Sequence, residues 1–202
     1  MSDEGRRGLL VVLSGPSGVG KDVAIARLKE RGFDIYYVVT ATTRQRRDNE
    51  VDGRDYFFLT RAAFEEMIGR DGLLEWSNVY GNLYGPPIAQ VREKLAEGRD
   101  VLLKIDVQGA EKVRARSRDG VFIFLAPPSL QELVVRLRAR RTESEAELEV
   151  RVANAYKEMA ALEHYDYAVV NHEGRLDEAV DKIGAIISAE RSRVRPRQPE
   201  ID

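Results

Sequence analysis

The sequence predicts an α/β fold with a parallel sheet covered by helices on both faces, and two observations carry this prediction. Short apolar runs of strand length alternate with segments whose apolar residues recur at helical spacing. A glycine-rich turn follows the first apolar run and precedes the first helix, which is the setting of a phosphate-binding loop. The sequence therefore predicts one domain built around a P-loop.

The strands are predicted at continuous apolar runs, which are typical of parallel strands buried on both faces. They are Leu9–Ser14, Val101–Ile105, Val121–Leu125 and Tyr167–Val170. The helices are predicted at Asp22–Arg31, Gln108–Arg116, Ser129–Arg140 and Leu176–Ser188.

Residues from about 40 to 90 interrupt this alternation. Asp55–Leu59 alternates like an exposed strand, Arg61–Arg70 is helix-like, and two further short strands are predicted within Leu73–Val79 and Asn82–Gly85. The interruption predicts a small insertion with antiparallel character, and such insertions usually carry function. A second insertion is predicted around the charge-rich segment 138–149.

Composition fits a globular protein and excludes some chemistry. Of 202 residues, 43% are hydrophobic and 33% charged, and the absence of cysteine excludes disulfides and thiol nucleophiles. No apolar run is long enough to cross a bilayer, and the first residues do not resemble a signal peptide, so a cytoplasmic protein without a membrane partner is expected. A net charge of −2 gives no general attraction to nucleic acid. The oligomeric state stays open.

The predicted phosphate loop consists of Gly15, Pro16, Ser17, Gly18, Val19, Gly20 and Lys21. Its glycines let backbone N–H groups turn inward around an anion, and Lys21 adds a mobile positive charge for the β- and γ-phosphates of ATP. Asp22 stands where the motif normally has a Ser or Thr that binds Mg²⁺. It is a candidate ATP-site residue and Mg²⁺ ligand, and the alternative is a first-turn acid favoured by the helix dipole.

Several separate blocks, in the family's order and spacing, make the chain similar to guanylate kinase from near its start to about residue 190. They are Thr40–Arg44, Glu50–Gly53 with Asp55–Tyr56, Leu74–Trp76, Gly81–Gly85 and Ile105–Gly109. The resemblance implies a P-loop kinase fold over 1–202, with a three-layer parallel sheet, an inserted acceptor-binding subdomain and a helical lid.

The resemblance also divides the chain. The core is expected at 9–39, 93–137 and 163–190, the acceptor-binding insertion at 40–92 and the lid at 138–162. The basic, Pro-containing end at 191–202 is expected to be a flexible tail.

On the acceptor side, the family holds the monophosphate with two arginines and two tyrosines, which match Arg44, Arg47, Tyr56 and Tyr84. An arginine fork suits phosphate oxygens, and tyrosine adds a neutral donor. Glu75 matches the carboxylate that reads guanine, and Thr40 stands where the family usually has Ser. Pro86 stands at a Ser or Thr position, so one expected base contact is missing.

The strand that ends at Asp106 normally carries two acids in this family, at the positions of Lys104 and Asp106. Asp106 is expected in the acceptor site and, with Asp22, near Mg²⁺. Lys104 and Asp22 both depart from the family pattern, and their charges are opposite. We therefore predict that the two side chains form an ion pair, or that Lys104 takes over part of the electrostatic role of the metal. The alternative is that the two exchanges are unrelated and Lys104 points to solvent.

Arg140 and Arg151 match the family's two lid arginines, and Asn171 matches a residue near the adenine base. Lys21, Arg44, Arg140 and Arg151 are the expected catalytic residues, because phosphoryl transfer needs positioning and charge stabilisation.

The implied reaction is transfer of the γ-phosphate of ATP to GMP with Mg²⁺, and small-molecule nucleotides are the expected partners. Two alternatives stay open. One is a related kinase for a modified nucleotide or ribose 1,5-bisphosphate, a family that also carries Lys-Asp in this loop. The other is a catalytically weakened binding module, against which the retained glycines and Lys21 argue.

Overall fold

The computed structural model describes residues 8–79, 81–139 and 145–202. The strands are β1 (Leu10–Ser14), β2 (Tyr36–Tyr37), β3 (Ala41–Thr42), β4 (Phe57–Phe58), β5 (Ser77–Val79), β6 (Asn82–Gly85), β7 (Val101–Lys104), β8 (Ser117–Arg118), β9 (Val121–Ala126), β10 (Tyr167–Val170) and β11 (Glu200–Ile201). The helices are α1 (Lys21–Glu30), α2 (Arg61–Gly69), α3 (Ile88–Ala96), α4 (Val107–Arg116), α5 (Leu130–Ala139), α6 (Glu145–Ala160) and α7 (Leu176–Arg191), with a 3-10 turn at Ala161–His164.

The central sheet has the strand order β10-β9-β1-β7-β2, and every pairing in it is parallel. Side chains of a strand alternate between the faces of its sheet. Accordingly Val11 and Leu13 pack with α1, α5 and α7, whereas Leu10 and Val12 pack with α3 and α4. These three layers confirm the predicted α/β class.

A second sheet, of order β4-β3-β6-β5, lies in the inserted segment and has mixed strand directions. Its core contains Ala41, Phe64, Leu73 and Leu83. Helix α2 packs here through Phe64 and is capped by the Thr60 hydroxyl, which accepts a hydrogen bond from the backbone of Ala63. The inserted segment thus has a sheet and a hydrophobic cluster of its own.

Most predicted elements of the central fold agree with the structure to within about three residues. The insertion differs more, because only Phe57–Phe58 and Ser77–Val79 are strands within the two longer segments predicted there. Helix α3 was not predicted, and it begins at Ile88 and packs on the central sheet, so the inserted unit ends before residue 92. Within the charge-rich segment 138–149, α6 begins at Glu145.

The structure also differs from the predicted flexible tail at 191–202. Helix α7 continues to Arg191, and beyond it β11 pairs antiparallel with β8. Arg197 Nε donates to Glu190 Oε2 at 2.9 Å, and Glu190 is only 1% exposed. A buried carboxylate requires a charged or hydrogen-bonding partner, so Arg197 holds the end of the chain against the domain.

In the described part of the chain, none of the helices combines the length and the apolar composition that crossing a bilayer requires.

Candidate active site

The phosphate loop connects the buried end of β1 to the first turn of α1. Gly15, Gly18 and Gly20 have φ values of 141°, 84° and 102°, which L residues with side chains rarely adopt. A Cβ on Gly15 would also lie 2.2 Å from the carbonyl oxygen of Leu125. Backbone conformation and close packing therefore both require glycine in this loop.

Lys21 folds back into the loop that precedes it. Its Nζ donates to the carbonyl oxygens of Gly15 and Pro16, at 2.6 Å and 3.1 Å. Burial lowers the pKa of Lys21 to about 8, while the carboxylates of Glu158, Asp22 and Asp106 act to raise it. The partly buried ammonium therefore lies against the carbonyl oxygens at the start of the loop.

Asn171 holds the phosphate loop through a side-chain hydrogen bond. Its side-chain Nδ2 donates to the Val19 carbonyl at 2.9 Å, and its backbone N–H donates to Ala126. Asn171 is 7% exposed, and a Cβ on Gly20 would lie 2.7 Å from its Nδ2. In this structure Asn171 fixes the loop conformation, a role that the sequence did not predict.

Helix α6 brings two charged side chains to the loop. Arg151 Nη2 donates to Ser17 Oγ at 2.8 Å, and the Ser17 N–H donates to Glu158 Oε2 at 3.0 Å. A carboxylate thus occupies a backbone donor of the kind that such loops offer to phosphate. Glu158 was not predicted, although it lies two helical turns after Arg151 and so on the same face of α6. Arg140, the other predicted lid arginine, lies outside the described residues.

A cavity of about 280 Å³ joins the phosphate loop to the inserted unit. It is lined by Lys21, Thr40, Tyr56, Glu75, Ser77, Val79, Tyr84, Lys104, Ile105 and Asp106. One cavity therefore unites the loop lysine with five of the residues predicted for the acceptor site.

Glu75 is the buried acid of this cavity, 6% exposed, and its Oε2 has no hydrogen-bond partner among the described residues. Burial raises its pKa to about 7, repulsion from Asp106 adds to the rise, and Lys112 opposes it. A Cβ on Gly109 would lie 3.1 Å from the Glu75 carboxyl carbon, so Gly109 leaves room for this side chain. The carboxyl group is available to a ligand that donates hydrogen bonds.

A second cavity, of about 660 Å³, lies next to the first and contains Arg44, Arg47 and Asp22. Among the described residues, four side chains line both cavities: Thr40, Tyr56, Tyr84 and Lys104. The two spaces are therefore adjacent parts of one site, with a buried carboxyl group in the first and arginines in the second.

Glu50 accepts hydrogen bonds from both of the arginines predicted to bind phosphate. Its Oε1 accepts from Arg44 Nη2 at 2.6 Å, and its Oε2 accepts from the backbone N–H of Arg47 at 2.9 Å. The Arg44 guanidinium carbon also lies 5.5 Å from the centre of the Tyr56 ring, which meets the Tyr84 ring edge-on. The sequence placed Glu50 in a matched block without giving it a role.

Lys104 and Asp22 form the predicted ion pair, which confirms that hypothesis. Lys104 ends β7, and in the sheet it stands opposite Leu13 of β1, the strand that leads into the phosphate loop.

Pro86, which lacks the hydroxyl usual at its position, accepts a hydrogen bond from the Leu74 N–H through its carbonyl oxygen.

Two carboxylates near Lys21, those of Asp22 and Asp106, have the chemistry that Mg²⁺ requires. The described residues contain no group of three or more side chains that could hold a metal ion. Mg²⁺ in nucleotide sites is usually bound by one or two carboxylates together with phosphate oxygens and water. Asp22 and Asp106, both close enough to influence Lys21, fit that description. Asp106 also caps α4, where its Oδ1 accepts from the Gly109 N–H at 2.6 Å.

A phosphate loop whose lysine lines a pocket together with tyrosines and a buried acid is the arrangement of a P-loop phosphotransferase. The sequence profile of the guanylate kinase family matches residues 7–190.

Individual relatives agree with this match. The guanylate kinase of Halalkalibacterium halodurans is 50% identical over 93% of this chain and 91% of its own length. That of Caldanaerobacter subterraneus is 48% identical over 94% and 91%. The crystal structure of guanylate kinase from Anaplasma phagocytophilum superposes with a TM-score of 0.74 at 33% identity, covering 93% of this chain and 88% of that one. The chain belongs to the guanylate kinase family.

Proposed function

We propose that this chain transfers the γ-phosphoryl group of ATP to GMP, giving ADP and GDP. One observation carries the proposal: Lys21 of the phosphate loop lines the same cavity as the buried Glu75, whose Oε2 has no hydrogen-bond partner among the described residues. A phosphate donor and a guanine-bearing acceptor can therefore meet there. ATP and GMP are the proposed partners, and the cytoplasm is the proposed compartment.

For the donor, the backbone N–H groups that the phosphate loop has after Pro16 would surround the β-phosphate, and Lys21 would neutralise charge on the β- and γ-phosphates. Arg151, which already contacts Ser17 of the loop, would stabilise the charge of the group in transfer. Arg140 lies outside the described residues and keeps the same proposed role on the resemblance alone. Asn171 would keep the phosphate loop in its conformation through the hydrogen bond to the Val19 carbonyl.

For the acceptor, Arg44, Arg47, Tyr56 and Tyr84 would hold the phosphate, with Glu50 keeping Arg44 in place. Glu75 would accept hydrogen bonds from N1–H and the 2-amino group of guanine, a pair of donors that adenine lacks. Thr40 lines the same cavity and would contribute a hydroxyl to base recognition. The acceptor phosphate is ionised at neutral pH, so no general base is needed.

Asp22 and Asp106 are the side chains proposed to hold Mg²⁺ or its water ligands beside the ATP phosphates. The ion would supply positive charge that draws electrons from the phosphoryl group. The chain itself would orient the two nucleotides and exclude water between them.

Turnover with a panel of acceptors tests the proposal. Purified protein would receive ATP and Mg²⁺ with GMP, dGMP, AMP or ribose 1,5-bisphosphate, and ADP release would be measured. Rapid turnover with GMP and little with AMP is the expected result. Turnover with ribose 1,5-bisphosphate alone would replace the proposed acceptor, and GMP binding without any turnover would indicate a binding module.

Replacing Glu158 with Gln should tighten ATP binding by about 3- to 10-fold. In the structure the Glu158 carboxylate accepts from the Ser17 N–H, a donor that a nucleotide phosphate would need. The amide keeps the shape of the side chain but removes its repulsion of the triphosphate. Calorimetric titration with ATP measures the change.

Glu163→Gln is a suitable control for Glu158→Gln, because Glu163 is exposed and follows α6 in the 3-10 turn. Weaker ATP binding by Glu158→Gln would instead mean that Glu158 helps to build the nucleotide site.

A further inference from the structure

We propose that Lys104 binds the phosphate of the acceptor nucleotide, as a cation supplied by the chain itself between the donor and acceptor sites. The inference rests on the proposed function, because it takes the acceptor to be a nucleoside monophosphate. It assigns a binding role to a position where the sequence otherwise shows only a departure from the family pattern.

The first argument is position. Lys104 is the last residue of β7 and stands opposite Leu13 of β1, so its side chain starts beside the strand that leads into the phosphate loop. It is also one of the side chains that line both the Glu75 cavity and the arginine cavity. A ligand with its base in the first cavity and its phosphate in the second would pass this ammonium group.

The second argument is that the ammonium group of Lys104 lies beside Tyr56. Lys104 Nζ lies 5.9 Å from the centre of the Tyr56 ring, over which Arg44 also stacks. Tyr56 therefore has cations of two different elements beside it, one from the insertion and one from the central sheet. A phosphate that reaches the Tyr56 hydroxyl would be close to both.

The third argument is that stability does not explain the Lys104–Asp22 pair. The Asp22 side chain is 81% exposed, whereas that of Lys104 is 31% exposed. Ion pairs with an exposed member typically add less than about 1 kcal/mol. The pair does, however, orient the ammonium towards the loop, and phosphate oxygens can compete with one exposed carboxylate for its protons.

A cation in addition to the arginines of the second cavity would strengthen the attraction for the acceptor phosphate. Arg44 is already paired with Glu50 and donates to the Gln45 carbonyl at 2.7 Å, so part of its charge is neutralised within the protein. A phosphate monoester carries about two negative charges at neutral pH. Lys104 supplies a cation whose carboxylate partner, Asp22, is accessible to solvent and so is easily exchanged for the phosphate of the ligand.

Calorimetric titration with GMP and with guanosine, without ATP or metal ions, tests the inference. Lys104→Met should weaken GMP binding about 10-fold and leave guanosine binding unchanged, because only GMP carries the phosphate. Lys104→Arg keeps the charge and should bind GMP within about 3-fold of the unaltered protein. Lys94→Met is the control, since Lys94 also pairs with acids, Glu93 and Glu97, but lies outside both cavities.

The double variant separates ligand binding from the neutralisation of Asp22. If Lys104 binds phosphate, Asp22→Asn with Lys104→Met should bind GMP about 10-fold more weakly than Asp22→Asn alone. Equal GMP affinity of these two proteins would overturn the inference, as would an equal loss for guanosine. If the unaltered protein failed to bind GMP at all, the proposed function itself would fail.

Discussion

Replacing Lys21 with Met should lower kcat/KM by at least about 1000-fold and yet make the nucleotide-free protein more stable. The loss of activity is expected because Lys21 is the cation of the phosphate loop, and transfer of a phosphoryl group depends on such charge stabilisation. The gain in stability is expected because the fold partly buries the same ammonium, which lowers its pKa.

The direction of the stability effect follows from the pKa of Lys21. Burial lowers this pKa from 10.5 to about 8, so the folded protein holds the proton less tightly than the unfolded chain does. The charged lysine therefore destabilises the fold below pH 8, and the penalty decreases as the pH rises from about 8 to 10.5. One pKa unit corresponds to about 1.4 kcal/mol. After the loss of two hydrogen bonds to loop carbonyls, Lys21→Met should gain on the order of 2 kcal/mol at pH 7.

Urea unfolding at pH 7 and at pH 10.5 measures this effect. The difference between the two proteins should be clear at pH 7 and small at pH 10.5. Lys182→Met, on the exposed surface of α7, is the control and should change neither stability nor turnover. A Lys21→Met protein less stable than the original at pH 7 would show that the hydrogen bonds of the ammonium outweigh the cost of its burial.

The sequence predicted the central fold because the relevant signals are local. The apolar run of β1, the glycines of the loop and the helical spacing after Lys21 each lie within a few residues of one another. The Lys104–Asp22 pair was also predictable, although it joins residues 82 positions apart, because the resemblance assigned both residues to one site. Similarity supplied the long-range information that residue patterns lack.

Other features depend on long-range contacts that neither the residue patterns nor the similarity to the family indicated. The contact of Glu158 with Ser17 spans 141 positions, and the hydrogen bond of Asn171 to Val19 spans 152. The basic tail looked like a solvated end because its partner, Glu190, is an acid that would ordinarily be exposed. Only packing in three dimensions buries Glu190 and makes Arg197 part of the fold.

Replacing Glu75 with Gln should lower kcat/KM for GMP by about 100-fold, since a buried site built to accept hydrogen bonds rejects a mismatched partner strongly. Gln offers one acceptor oxygen and an N–H₂ group that would face a donor of guanine. Glu111→Gln, an exposed position on α4, is the matched control and should leave the rate unchanged. An equally active Glu75→Gln enzyme would remove Glu75 from base recognition.

The pH dependence of GMP binding provides a second test of Glu75. Its pKa is raised by burial to about 7, so roughly half of the nucleotide-free protein carries a neutral carboxyl at that pH. Guanine donors need the carboxylate, so GMP affinity should rise as the pH increases from 6 to 8, with protons released on binding. Calorimetry in two buffers of different ionisation enthalpy counts those protons. Glu75→Gln should remove most of the release and leave the smaller part that comes from the phosphate of GMP. A flat affinity for the unaltered protein over this range would mean that this carboxyl does not read the base.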